Sequence, residues 1–277
     1  PTTLKHSKLV RSPSHSSLMS SFYTTQFQAG LGMIEESRSF LELWEPGDSV
    51  QVLEEKVLEE GILPDVTARR VRNLVAEMWA PRFLANEAQP ARDLKAILDL
   101  LNRDSLSQLC MLFTARAQLI FHEFMSQLYW PRYESGRTII SRDEIKEFII
   151  EAMDEGKMQK RWSESTVHRV TGYLAGTAID FDFMSRVSTS SYELDPPIIS
   201  PKVALYLAYD LHFSGLSDGN ALAHENWQLW GMNSHDVLRQ LQYLGREGHF
   251  IVQGSVELVR LSWAYKNREE MLNAITR

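Results

Sequence analysis

The chain is poor in the residues on which most chemistry depends. Its 277 residues hold a single cysteine, Cys110. An intramolecular disulfide and a thiolate metal cluster are therefore excluded within one chain. His122, His224, His235 and His249 are scattered, with no zinc spacing such as His-Glu-x-x-His. No phosphate-cradling glycine loop is present, since Gly30-Leu31-Gly32 lacks the lysine and the third glycine. Long apolar runs are missing too. The most apolar stretch, 105–130, is broken by Gln108, Arg116, Gln118, His122 and Glu123, and reads as a buried core helix. Residues 1–20 lack the continuous apolar core of a secretory signal. Positive charge is scarce, at a net charge of −7. These scarcities point to a cytoplasmic, non-enzymatic protein with no cofactor, no metal and no membrane span.

What is present is an ordinary globular composition, 44% hydrophobic and 23% charged, which can bury a core. Charge is uneven. Residues 21–63 carry nine acids and two bases, whereas residues 64–103 carry five acids and seven bases. A local basic patch can bind phosphates on an acidic protein. The Ser-, Thr- and His-rich residues 1–21 read as a disordered tail. Residues 22–135 read as an N-terminal helical domain and 136–277 as a C-terminal one.

Apolar spacing and turn residues predict a mainly α-helical fold with helix-turn-helix-like elements. The first lies at 49–79. Ser49 is an N-cap for a helix to Glu60; Gly61 ends it, and Gly61-Ile62-Leu63-Pro64 links it to a helix over 67–79 that Pro81 closes. With Val71, Leu74, Val75 and Met78 inward, a helix turning about 100° per residue sends Arg69 and Asn73 outward, flanked by Arg70 and Arg72. That is the pattern for phosphate or base-edge contact. The competing reading is a solvated helix face, with Glu54, Glu55, Glu59 and Glu60 near enough to repel DNA.

The second candidate is 141–178. Ser141 to Glu144 has capping-box spacing. A helix with Ile145, Phe148, Ile149 and Ala152 inward leads to the basic cluster Lys157, Lys160 and Arg161. Ser163 then caps a helix with Val167, Val170 and Leu174 inward. Ser165, Arg169, Gly172 and Gly176 share the opposite face, beside Thr166 and Tyr173. Small residues plus one arginine let a helix approach a groove; equally, the glycines let another helix pack close. Helices are also predicted at 91–103, 202–213 and 234–246, with two strands around Gly254-Ser255 as a small hairpin. The end is winged-helix-like, with Arg239, Arg246 and Arg260 as candidate phosphate contacts. Its ten acids and seven bases over 187–277 favour packing or partner binding instead. Trp227, Trp230 and Trp263 read as core.

Two stretches carry a resemblance. Asp195 to Met232, above all Ala208-Tyr209-Asp210-Leu211-His212-Phe213-Ser214-Gly215-Leu216-Ser217-Asp218, resembles the BREX (bacteriophage exclusion) protein A family, BrxA. Thr25 to Ser37, with Phe27, Gly30, Leu31, Glu36 and Ser37 as landmarks, resembles the start of the same family, and Trp162 with Glu164 to Thr166 and Arg169 resembles a further segment of it. Asp210, His212, Ser214 and Asp218 are not taken as catalytic, because a hydrolytic set needs nucleophile, base and orienter in contact. The resemblance implies a small helical phage-defence protein that contacts double-stranded DNA. It also implies partners in a methyltransferase, an ATPase and a phosphatase-like protein of the same system. The rival function is a protein–protein adaptor with little direct DNA binding.

Overall fold

The computed structural model describes residues 22–25 and 32–275. The expected 1–21 tail and the landmarks Phe27, Gly30 and Leu31 lie outside the described residues. The fold is mainly α-helical with two small antiparallel sheets.

The N-terminal half is built from α1 (Ile34–Leu43), α2 (Val50–Glu60), α3 (Ala68–Asn73), α4 (Ala80–Phe83), α5 (Ala85–Ile97), α6 (Arg103–Ala117), α7 (Leu119–Glu123) and α8 (Trp130–Glu134). The local signals act as expected at α2. Ser49 Oγ accepts from Val52 N, and Gly61 ends the helix in the left-handed conformation. Helix α6 is buried on every side from Ser105 to Ala115, which makes it the centre of the core. No helix among the described residues is long and apolar enough to cross a membrane.

Pro81 does not close its helix. A π-helical stretch, Leu74–Trp79, runs from α3 into α4, and the chain stays helical through Pro81 to Phe83. A proline ring in a regular helix clashes with the carbonyl four residues earlier. The wider π turn, in which Ala80 N donates to Val75 O, moves that carbonyl away. The same device recurs at Phe124–Tyr129, ahead of Pro131, where Trp130 N donates to Met125 O. The two sites read Trp79-Ala80-Pro81-Arg82-Phe83 and Tyr129-Trp130-Pro131-Arg132-Tyr133, a short internal likeness. The single helix expected over 105–130 is thus divided at Gln118 and again by the π turn.

The central unit is β1 (Ile139–Ser141), α9 (Arg142–Asp154), α10 (Glu164–Asp180), β2 (Met184–Arg186) and β3 (Ser191–Leu194). Its strands pair antiparallel in the order β1-β3-β2, with Ser141 opposite Ser191 and Arg186 opposite Tyr192. The C-terminal unit is α11 (Pro201–Phe213), α12 (Asp218–Leu222), a 3-10 turn (Glu225–Trp230), α13 (Ser234–Arg246), β4 (Phe250–Gly254), β5 (Val259–Trp263) and α14 (Arg268–Ile275). Strands β4 and β5 form the expected hairpin, and Gly254 turns it at φ +96°.

One glycine locks the C-terminal unit to the first half. Trp130 Nε1 donates to Leu229 O at 3.0 Å. Gly231 follows at φ +63°, where a Cβ would lie 2.3 Å from the Trp130 ring. Gly231→Ala is expected to cost about 2–4 kcal/mol, combining left-handed strain and overpacking. A urea midpoint equal to wild type would refute this coupling.

Candidate nucleic-acid interface

Helix α10 buries one face in the core and turns the other outward. Ser163 Oγ accepts from Thr166 N, and Val167, Val170 and Leu174 are buried. The hydroxyls of Ser165 and Thr166 lie 3.0 Å from Ser163 Oγ, at the helix start. Ser165, His168 and Arg169 are exposed, and Thr166, Gly172, Tyr173 and Gly176 are half-buried along the same side. The preceding helix, α9, begins with the expected capping box: Ser141 Oγ accepts from Glu144 N while Glu144 accepts from Ser141 N. Arg132 from α8 ion-pairs with Glu144 and so ties the cap to the first half.

The basic cluster ahead of α10 divides. Lys160 is exposed. Arg161 is exposed and pairs with Asp154 at 2.6 Å, an open pair of little net worth. Lys157 is engaged otherwise: its Nζ lies 2.8 Å from Glu123 and 3.0 Å from Glu155, beside the Tyr23 ring. Burial works against its charge, but hydrogen bonds to Glu123 and Glu155 win and raise its pKa above the ordinary lysine value. On α3, capped by Thr67, the side chains of Arg69, Arg70 and Arg72 are exposed and that of Asn73 half-buried. None of these three arginines forms an ion pair among the described residues. Arg69, Arg70 and Arg72 on α3 and Lys160, Arg161 and Arg169 around α10 are thus exposed, while Lys157 is held between two carboxylates.

The Ala208 to Asp218 run proves to be a hub. Tyr209 Oη donates to His249 O and accepts from Ala264 N and Tyr265 N. His212 stacks on Trp263 at 4.1 Å. Ser214 Oγ donates to Asp210 O, and Ser217 caps α12. Asp218 accepts from Leu261 N and Trp263 Nε1, fastening α12 to the hairpin. Trp227 and Trp230 are core, as read, while Trp263 is half-buried.

Asp210 is the centre of a buried ion network that the sequence did not disclose. Its carboxylate lies 2.7 Å from Arg116 on α6 and 2.6 Å from Arg268 on α14. Arg268 also pairs with Asp93 on α5 at 2.8 Å, and Tyr206 Oη donates to Asp93. Burial pushes Asp210 upward, yet the two guanidiniums outweigh it and hold the carboxyl below its usual range. Asp93 shares one arginine, and burial leaves it raised. An interrupting arginine in an otherwise apolar helix, Arg116, was the signal available beforehand.

The histidines near this network bear on stability. Burial lowers the pKa of both His122 and His224, with nearby Arg116 also acting on His224. Both values lie below the ordinary 6.5 in the folded chain. Below 6.5 the unfolded chain thus binds protons that the folded chain does not. Stability held above 6.5 is expected to fall as pH drops through it, and to fall again below 3.8 as Asp210 is protonated. Asp93 contributes with the opposite sign. A urea midpoint at about pH 5.5 that equals or exceeds the one at about pH 7.5 would contradict this.

No group of three or more His, Cys, Asp or Glu among the described residues could hold a metal ion. The BrxA family model matches residues 21–210. The chain belongs to the BrxA family. Membership makes it a component of the BREX phage-defence system, alongside the other components of that system. The match ends at Asp210, at the hub, so most of the C-terminal unit lies beyond it. This BrxA-family chain also has a fold similar to a solved structure, an uncharacterized protein from Magnetospirillum magneticum. The two share 17% identity at a TM-score of 0.51, over 69% of this chain and 95% of that one. No curated protein matches the sequence.

Proposed function

We propose that this BrxA-family protein is a non-enzymatic, cytoplasmic, double-stranded-DNA-binding component of the BREX system. One observation carries the reading. The order β1-α9-α10-β2-β3, with an antiparallel sheet in the order β1-β3-β2, is the order a winged helix-turn-helix would have, and it supports that reading. In that arrangement the second helix enters the major groove and the β2–β3 loop lies beside it. Here the second helix is α10, and its outward face carries no acid between Ser165 and Gly176. Ser165, Thr166 and Arg169 would face base edges, with Lys160 and Arg161 on the backbone. Arg69, Arg70, Arg72 and Asn73 on α3 form a second contact. Lys157 is left out, because two carboxylates already hold it.

The test is fluorescence anisotropy of a labelled duplex of about 30 base pairs, roughly three helical turns, over a salt series. If about five to seven phosphates are neutralised, log affinity should fall with log salt at a slope near −5 to −6. Absence of binding even at low salt would sink the reading.

The adaptor reading keeps one specific support. The C-terminal unit exposes Ile251 (62%), Leu258 (81%) and Tyr243 (48%). Apolar side chains at such exposure suit a protein partner. A stable complex with another BREX component, with no DNA shift by the free protein, would favour it.

A further inference from the structure

We infer that Arg142 is a phosphate-binding residue, set between the α10 face and the β2–β3 loop, which grips the DNA backbone next to the bases that α10 meets. The inference rests on the DNA-binding reading above. It starts from an oddity in charge. Arg142 is half-buried, yet no carboxylate pairs with it among the described residues. Its Nη2 lies 3.2 Å from His168 Nε2 and 3.4 Å from His168 O. Its Nε is sealed from solvent without a hydrogen-bond partner among the described residues. Taking a guanidinium partly out of water with no anion beside it is costly. A phosphate oxygen would supply the missing charge, and arginine's planar fork suits it.

The position fits that task. Arg142 N donates to Ser190 O at 2.8 Å, so the residue is fastened to the end of the β2–β3 loop. Its guanidinium lies on α10 over His168, and a Cβ at Gly172 would sit only 3.5 Å from Nη2. One residue thus bridges the two, its backbone N on the loop and its side chain on the groove-facing helix. The bond to His168 also fixes a tautomer. Arginine only donates, so His168 Nε2 must accept, and the imidazole proton sits on Nδ1. His168 thus contacts Arg142 without offering it a carboxylate. A glutamate there would have quenched its charge. Arg186, at the other end of the loop, is exposed and, among the described residues, likewise without a carboxylate partner, lying over the Tyr192 ring at 5.7 Å.

The experiment compares the full chain with Arg142→Gln and Arg142→Lys on the same duplex across the salt series. Arg142→Gln is expected to weaken binding about tenfold, the worth of one charged hydrogen-bonded contact, and to make the salt slope shallower by about 0.9. Arg142→Lys should keep the slope and lose several-fold in affinity, since it retains the charge without the fork. Melting temperatures near wild type keep both variants interpretable. If Arg142→Gln does not fold, an unchanged affinity in Arg142→Lys by itself overturns the fork contact. A folded Arg142→Gln with wild-type affinity and slope overturns the inference while leaving DNA binding intact. A wild-type chain that binds no DNA overturns both. Lost binding to a BREX protein with unchanged DNA affinity assigns the unpaired guanidinium to a partner's carboxylate instead.

Discussion

Asp210→Ala is expected to destabilise the protein by about 3–5 kcal/mol, because it leaves two enclosed arginines without their shared anion. Asp210 exposes 11% of its side chain, and Arg116 and Arg268 expose 25% and 24%, so solvent screens the network only weakly. For a chain of this size each kcal/mol lowers the melting temperature by roughly 2–4 °C, giving a fall of about 10 °C. The loss comes from stranded charge rather than from any large intrinsic worth of the pairs. The network joins α5, α6, α11 and α14, so its loss should loosen the C-terminal unit against the first half. DNA affinity of the folded fraction should not change, since no member of the network lies on α10. A chemical-denaturation loss below about 1 kcal/mol would show that the arginines are solvated without Asp210.

Arg169→Glu is expected to weaken DNA binding more than any other single exposed substitution. Arg169 projects from the middle of the α10 face, is exposed, and has no ion pair among the described residues. An arginine in bidentate contact with a guanine edge is worth about 1–3 kcal/mol of discrimination, and reversing its charge adds repulsion from the flanking phosphates. A fall of roughly 100-fold in affinity is consistent with those two effects together. Arg169→Ala should lose less affinity but more of any sequence preference. The α3 pair Arg69→Glu with Arg72→Glu should weaken binding across all sequences, as phosphate contacts do. Each variant alters exposed side chains, so melting temperatures should stay near wild type. Equal affinity for Arg169→Glu and wild type would remove α10 from the interface.

Much of the helical framework was legible because local chemistry decides it. Ser49, Ser141 and Ser163 cap helices, and Gly61 ends one. The apolar stripes of α9 and α10 face inward as their spacing requires. Pro81 was misread because proline stops a regular helix, whereas a π turn ahead of it removes the clash. Strands β1 and β2 were not legible. Each is three residues long, shorter than any alternation that could announce it, and both depend on pairing with β3. Without that sheet, 141–178 read as a helix-turn-helix candidate with no wing of its own.

The candidate interface divided on the same principle. Exposure of Arg69, Arg70, Arg72 and Arg169 follows from helix periodicity. The engagement of Lys157 does not, because Glu123 stands 34 residues away. Arg142 was passed over because a capping box already accounted for its neighbours, and its unpaired charge appears only once α10 folds against it. The Asp210 network escaped notice for a related reason: its partner Arg268 lies 58 residues further on, and Asp93 lies 175 residues from Arg268.

The most direct measurement is photo-cross-linking of the full chain to a duplex carrying iodouracil at successive positions, with the cross-linked residues mapped by mass spectrometry. Cross-links to His168 and Tyr173 on α10 and to residues 186–190 of the β2–β3 loop are the expected result. Cross-links confined to the C-terminal unit, or none at a salt concentration where the duplex is bound, would contradict a winged helix-turn-helix at 139–194 as the DNA-contacting unit.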